Sequence, residues 1–271
     1  MGPVTWMKRS GVALAIAALL TLAAPPMHAQ IGFAPTGPPA NPKAAAPEDL
    51  TGYWVSIVTE DWRYRMMTPD KGDYPGVFLT PEGQKIAQSW DPAKDEAAGQ
   101  QCKSYGAGAI MRVPERLHIT WDNDTTLRVE TDAGKQVRLF HFNVTDTPKS
   151  EPPSLQGYSI ASWEGLRPRG FVLPTVATGG APRARRDEGY LKIVTKNLAP
   201  GYLRKNGVPY GASATVEEYF DSFKEPNGDE WLIVTAIVTD PQYLAQSYLT
   251  SSQFKKLPDA SGWNPTPCEA K

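Results

Sequence analysis

The chain has 271 residues, with 28 Lys and Arg against 29 Asp and Glu. A nearly neutral chain has no positive excess to match a phosphate backbone, so nucleic acid is not an expected partner. An apolar content of 41%, with 23 Gly and 26 Pro, excludes a disordered chain and indicates a globular domain with many turns.

Residues 1–29 have the pattern of a secretory signal peptide. Lys8 and Arg9 precede an apolar run over residues 11–24, which is shorter than a membrane span. Met27-His28-Ala29 forms an acceptable cleavage site, so the mature protein is expected to begin near Gln30 and to be periplasmic or secreted. An uncleaved N-terminal anchor is the alternative. Without the signal peptide the net charge is about −3, and no later stretch is apolar enough for a transmembrane span.

The folded domain is predicted to occupy residues 49–271 and to follow a tether. Residues 30–48 are rich in Pro and Ala without an apolar period, which predicts a flexible or extended segment. The domain begins with a strand in which Tyr53 and Val55 alternate with Trp54. Because both faces are largely apolar, this strand can line a barrel and be covered on its outside.

A short helical insertion is predicted near residues 80–100. Thr80 precedes Pro81, and Asp91 precedes Pro92. Each pair matches an N-cap followed by proline at the first helical position. No other helix is predicted after the signal peptide.

The rest of the chain has the composition of strands and turns. The predicted strand regions are a short strand at 110–114, a three-stranded meander at 116–144, strands within 157–166 and 189–198, a hairpin at 215–241 and a last strand within 243–258. A polar connection is predicted at 199–214, and a long loop rich in Arg, Pro and Gly at 166–188. Eight to ten mostly sequential strands predict a mainly β, antiparallel, barrel-like domain.

Short motifs along the chain resemble known families. Gly52-Tyr53-Trp54 in the first predicted strand is similar to the first-strand signature of lipocalin-like barrels, which implies a lipocalin- or calycin-like fold. The order TGYW, QCKSYG, RLHIT, SWEG, LKIVT, VEEYF and TDPQYL resembles an uncharacterised family of exported bacterial β-rich proteins. In that family a WEG-type turn leads directly into the LxVxT strand, whereas residues 166–188 separate the two here. The resemblance implies an exported β protein and no particular reaction.

Cys102 and Cys268 are the only cysteines of the chain. An oxidising compartment favours a disulfide between them, which would stabilise the fold by roughly 4–5 kcal/mol in the chain-entropy model. Two free buried thiols are the alternative. Because the sequence contains no CxxC motif or Cys/His cluster, neither a metal nor another cofactor is predicted.

Four residues could support acid–base chemistry. His118 and His141 lie in predicted strands of the meander, and Asp61 and Glu217 lie next to strand ends. A histidine and a carboxylate that meet at a barrel mouth could act as general acid and base. The simpler interpretation is that the histidines pack on strand faces and that the carboxylates are solvated.

The aromatic residues exceed what strand packing requires and indicate a small-molecule cavity, although a core uses aromatic side chains as well. Arginines near the loops could hold a carboxylate or phosphate, or contact an anionic membrane surface, or be solvating charges. The predicted ligand-binding residues are Trp54, Tyr64, Trp121, Trp163 and Tyr219, with Arg167, Arg169 and Arg204 at a polar end.

Three functions remain open from the sequence. The leading hypothesis is an exported binding protein for a small, largely apolar ligand that can carry an anionic group. The second is a lipocalin-like lyase, isomerase or hydrolase, which requires a histidine and a carboxylate within hydrogen-bond reach. The third is an envelope interaction protein that uses its basic loop and has no enclosed cavity.

Overall fold

A computed structural model describes Gly2 and residues 40–165 and 189–271. The strands are β1 (Gly52–Ile57), β2 (Arg116–Asn123), β3 (Thr126–Thr131), β4 (Val137–Phe142), β5 (Tyr158–Glu164), β6 (Tyr190–Lys196), β7 (Gly201–Arg204), β8 (Val208–Tyr210), β9 (Thr215–Lys224), β10 (Glu230–Thr239) and β11 (Tyr248–Leu257). The α-helices are α1 (Trp62–Met66), α2 (Pro81–Ser89) and α3 (Pro92–Ala97). The predicted signal-peptide core, its cleavage site and the loop at 166–188 lie outside the described residues.

Nine of these strands close into a barrel in the order β1-β11-β10-β9-β6-β5-β4-β3-β2, with β2 pairing back to β1. The predicted mainly β, barrel-like fold is confirmed. One pair departs from the antiparallel arrangement of the others: β4 and β5 run parallel, with Phe140 opposite Ser159. Because the two strands are parallel, the connection between them must return the chain to the end at which β4 began. Near that end, Ala107 N donates to Leu155 O of the connection at 2.9 Å.

The barrel interior is filled by side chains. Alternation along each strand turns one residue in two inward, and Trp54, Phe140, Phe220 and Phe254 are fully buried there. The rings of Phe140 and Phe220 meet edge to face at 5.5 Å between centroids. The inside of the barrel is therefore a packed core.

One end of the barrel is covered by a cap that consists of residues 101–115, α1 and the β7–β8 hairpin. Residues 110–114 were predicted as a strand, but Ile110–Arg112 forms a 3-10 helix, which places Ile110 and Met111 in the core. A short apolar run of this length does not distinguish a strand from a buried helical turn. The helix α1 and the β7–β8 hairpin were not predicted either, because neither has a clear apolar period.

The helical insertion is confirmed at both predicted starts. Thr80 Oγ1 accepts a hydrogen bond from Gly83 N, and Asp91 caps α3 by accepting from the first backbone amides. In the described part of the chain, no helix has the length and apolar character that crossing a membrane requires.

The predicted disulfide is confirmed as well. Cys102 and Cys268 are joined, with 5.1 Å between their Cα atoms. The bond attaches the C-terminal segment to the cap, and a bridge between Ala133 and Thr266 continues this attachment along the barrel. Two distant parts of the sequence are thereby held at one end of the fold.

Candidate functional site

The barrel mouth, opposite the cap, is the end at which β5 ends and β6 begins. A cavity of about 950 Å³ lies there, with Gly165 and Gly189 in its wall. This volume is at the upper limit of the range typical of small-molecule sites. The mouth is therefore where the described residues leave room for a ligand.

Three aromatic residues form the apolar part of the cavity wall: Trp54, Tyr190 and Phe223. Trp54 is fully buried, and its indole Nε1 donates to Leu50 O at 2.9 Å. The ammonium of Lys256 lies 5.2 Å from the centroid of the Trp54 ring, which is cation–π distance. The indole is therefore held in place before any ligand arrives.

The polar part of the wall is dominated by carboxylates. Glu48, Asp49, Asp221 and Glu230 line the cavity together with Lys224 and Lys256. Both lysines already bind Glu230, with N–O distances of 3.3 and 2.8 Å. The remaining carboxyl groups give the described wall a negative character, which favours cations and hydrogen-bond donors.

Glu48 is the most perturbed group at the mouth. Its Oε2 accepts hydrogen bonds from both the backbone N (2.7 Å) and the hydroxyl of Ser222. Its buried Oε1 has no hydrogen-bond partner among the described residues. Burial raises the pKa of Glu48 to about 7, Asp221 adds to the rise, and the bonds from Ser222 oppose it. Glu48 can therefore change its charge near neutral pH.

Residues 40–48, which the sequence assigns to the tether, pack against the barrel. Lys43 N donates to Asp124 O at 3.2 Å, and Trp163 Nε1 donates to Pro42 O at 2.8 Å. These bonds continue the contact that Glu48 makes with Ser222. The segment thus forms part of the cavity wall.

The predicted ligand-binding residues lie in several places. Trp54 lines the mouth cavity. Trp121 and Trp163 each pack against Phe142 in the core, with ring centroids 5.5 Å apart. Tyr219 lies on the outer face, where its hydroxyl donates to Glu217.

Two other predicted ligand contacts lie at the opposite end. Tyr64 and Arg204 belong to the cap, where the guanidinium carbon of Arg204 is 5.1 Å from the Tyr64 ring centroid. Arg167 and Arg169 lie outside the described residues. The predicted set is therefore not one site.

The predicted catalytic histidines point outward from the barrel. His118 stacks on Tyr53 at 4.2 Å and shares a hydrogen bond of 3.0 Å between its Nδ1 and Glu130 Oε2. His141 stacks on Tyr158 at 4.6 Å, and burial lowers its pKa while Glu151 opposes the shift.

The predicted catalytic carboxylates have other partners. Glu217 Oε2 lies 3.6 Å from Lys192 Nζ, and Asp61 Oδ2 accepts from Arg112 Nη2 at 3.0 Å. Among the described residues, no hydrogen bond or ion pair joins either histidine to Glu217 or Asp61. The predicted pairing of either histidine with Glu217 or Asp61 is therefore not assembled, and the carboxylate that His118 meets is Glu130.

Sequence reasoning did not identify Glu48, Asp221 or Lys256. Glu48 lies in a Pro/Ala-rich segment without any apolar period, and a strand end explains Asp221 and Lys256. Their proximity depends on strands that are distant in sequence. Within the residues that the structure describes, no three His, Cys, Asp or Glu side chains are grouped so that they could hold a metal ion.

Comparisons with known proteins place no name on this site. No family model, no curated protein and no solved structure matches the chain.

Proposed function

We propose that this protein binds a small ligand at the barrel mouth, with the apolar body of the ligand against Tyr190 and Phe223 and the buried Trp54 behind them. The observation that carries the proposal is the cavity of about 950 Å³ at an end of the barrel where aromatic rings and carboxyl groups meet. The packed interior supports a site at the mouth rather than one deep within the barrel.

The charge of the wall supports a ligand with a cationic or hydrogen-bond-donating head. Glu48 and Asp221 are the carboxyl groups that such a head would meet, because Glu230 is occupied by Lys224 and Lys256. The anionic ligand that the sequence suggested depended on arginines, and Arg204 lies in the cap. The charge of the ligand's head group is therefore the property to test first.

Three indole compounds that differ in side-chain charge test whether the site prefers a cationic, neutral or anionic head group. Tryptamine, tryptophol and indole-3-acetate share one ring and differ in the charge of the side chain. Thermal unfolding at constant ionic strength should show the largest rise in Tm with tryptamine and the smallest with indole-3-acetate. If all three leave Tm unchanged, or the carboxylate binds best, the proposal fails.

A variant test assigns the binding to Glu48. Tryptamine should bind more tightly at pH 8 than at pH 6 because Glu48 ionises near pH 7. Glu48→Gln should remove this difference. Glu225→Gln, an exposed change in the β9–β10 turn, is the matched control and should keep it.

We further propose that the protein is exported to the periplasm or the exterior. The Cys102–Cys268 disulfide supports an oxidising compartment. Mass spectrometry of protein expressed with its full N-terminus should find a mature chain that begins near Gln30 and is oxidised. A full-length mass with two free thiols would contradict this proposal.

A further inference from the structure

Three arginines converge in the cap, far from the mouth cavity. Arg65 comes from α1, Arg112 from the 3-10 helix and Arg204 from β7. Their side chains are 1%, 8% and 2% exposed. A cavity of about 50 Å³ lies between them, with Ser104 in its wall. Burying three like charges is costly unless anions compensate them.

The carboxylates of the cap compensate these charges only in part. Glu60 Oε1 accepts from Arg65 Nη1 at 2.6 Å, and Asp61 Oδ2 accepts from Arg112 Nη2 at 3.0 Å. Asp61 is shared with Arg204, whose Nη2 lies 4.0 Å away. The side chains of Glu60 and Asp61 are 38% and 47% exposed, so water weakens both pairs.

A nearby buried carboxyl does not restore the balance. Glu115 is 4% exposed, and neither of its oxygens has a hydrogen-bond partner among the described residues. Burial raises its pKa well above the usual range, and Asp132 adds to this effect, while Arg138 and Arg65 oppose it. Burial therefore disfavours the charged form of Glu115, which makes it a poor counter-ion for the arginine cluster.

Arg204 is held in place and has an unused donor. Its Nε donates to Tyr248 Oη at 3.2 Å, and its guanidinium carbon lies 5.1 Å from the Tyr64 ring centroid and 5.6 Å from that of Tyr248. Its buried Nη1 has no hydrogen-bond partner among the described residues. Arg204 lines the cavity, so a built and partly unsatisfied site faces the space between the arginines.

We propose that this cavity binds a small oxyanion, such as inorganic phosphate or sulfate, between Arg65, Arg112 and Arg204. Guanidinium groups match the oxygens of such anions in geometry and charge. The cavity of about 50 Å³ has room for three or four water molecules, which is about the size of one tetrahedral oxyanion. The site is separate from the mouth and does not depend on the ligand proposed there.

Titration calorimetry tests the proposal with sodium phosphate, sodium sulfate and sodium acetate at constant ionic strength. Wild-type protein should bind one phosphate or sulfate per chain in a saturable manner, and Arg204→Gln should weaken the affinity by about tenfold or more. Arg63→Gln removes the same charge from a side chain that is 63% exposed and should bind as wild type does. An absence of saturable binding to wild type would overturn the proposal.

A second variant covers the case in which Arg204→Gln does not fold. Ala109→Val narrows the same cavity without removing a charge, so it should weaken anion binding as well. Equal weakening by Arg63→Gln and Arg204→Gln would also reject the site, because surface charge alone would then explain binding. Titration with glycerol 1-phosphate shows whether the site also accepts a phosphate group that belongs to a larger molecule or binds the free ion alone. Tryptamine binding at the mouth should be unchanged in Arg204→Gln, so the two proposals fail independently.

Discussion

Glu48 at the mouth and Glu115 near the cap are both carboxyl groups that burial makes hard to ionise. In both cases desolvation outweighs the hydrogen bonds or positive charges that would favour the ionised form. The two groups differ in their surroundings: Glu48 lines the mouth cavity, whereas Glu115 is enclosed. Of these two carboxyl groups, Glu48 is the one that a ligand can reach.

The pKa of Glu48 predicts how stability changes with pH. Its pKa is raised from 4.5 to about 7 in the folded protein, so the folded state binds the proton more tightly than the unfolded state. This stabilisation is fully present below pH 4.5 and is lost as the pH rises through 7. Between pH 5 and pH 8 the loss should be about 2–3 kcal/mol.

Urea unfolding of wild type and Glu48→Gln across this pH range measures the effect. The difference in the free energy of unfolding between the two proteins should change by about 2–3 kcal/mol between pH 5 and pH 8, because glutamine does not titrate. Glu225→Gln should follow the wild-type curve. Parallel curves for wild type and Glu48→Gln would show that Glu48 titrates normally.

The buried ion pair between Arg138 and Glu218 predicts a large mutational effect. Both side chains are fully buried, and two hydrogen bonds with N–O distances of 2.8 and 2.5 Å join them. Glu218→Gln leaves the Arg138 charge buried without its partner, which should cost about 3–5 kcal/mol of unfolding free energy. Glu217→Gln, one position earlier on the outer face, should cost less than about 1 kcal/mol. Equal losses in urea unfolding would contradict this assignment.

Among the elements, α2 shows how tertiary contact overrides local propensity. The helix packs against the segment after β10, where Thr80 Oγ1 donates to Gln242 O at 2.7 Å. A Cβ added at Gly83 would lie 2.3 Å from Tyr243 O. Gly83 therefore allows the helix backbone to approach the backbone of Tyr243 closely, and helix propensities do not describe this contact.

Gly83→Ala should consequently destabilise the protein. In a free helix this change gains about 1 kcal/mol, but here the clash with Tyr243 O must move the helix or the loop. We expect a net loss of about 1–3 kcal/mol in urea unfolding. Gln84→Ala, the exposed neighbour in the same helix, should be close to neutral. A stabilised Gly83→Ala variant would disprove the close packing.

At the scale of the whole molecule, the two ends of the described fold have different chemistry. The mouth carries a cavity whose described wall is negative, and the cap carries a small cavity among arginines. The filled interior between them keeps the two ends apart. The disulfide holds the C-terminal segment at the cap and leaves the mouth unlinked.

Removal of the disulfide should lower global stability without opening the mouth. Cys102 and Cys268 are 166 residues apart, so the bond constrains most of the unfolded chain. Cys102→Ser with Cys268→Ser should reduce the free energy of unfolding by about 4–5 kcal/mol in the chain-entropy model. Tryptamine affinity, measured where the variant is folded, should stay unchanged. A loss of affinity would show that the tail supports the mouth.

The fold could be predicted from local patterns to a large extent. The three-stranded meander at 116–144 and the capping pairs at Thr80 and Asp91 are predicted from short-range signals, and the structure confirms them. The 3-10 helix at Ile110–Arg112 and the parallel pairing of β5 were not predictable in this way. Both depend on where the chain crosses the end of the barrel.

Local signals suffice to predict the mainly β class and the helical insertion, because periodicity and capping act over a few residues. The cysteine pair follows because each cysteine has one possible partner in the chain. Which residues form a site depends on the tertiary structure. It turned His118 and His141 outward, packed Trp121 and Trp163 against Phe142, and placed Glu48 beside Ser222 from β9. Barrel closure brings distant strands together and directs alternate side chains inward or outward, and no local pattern contains that information.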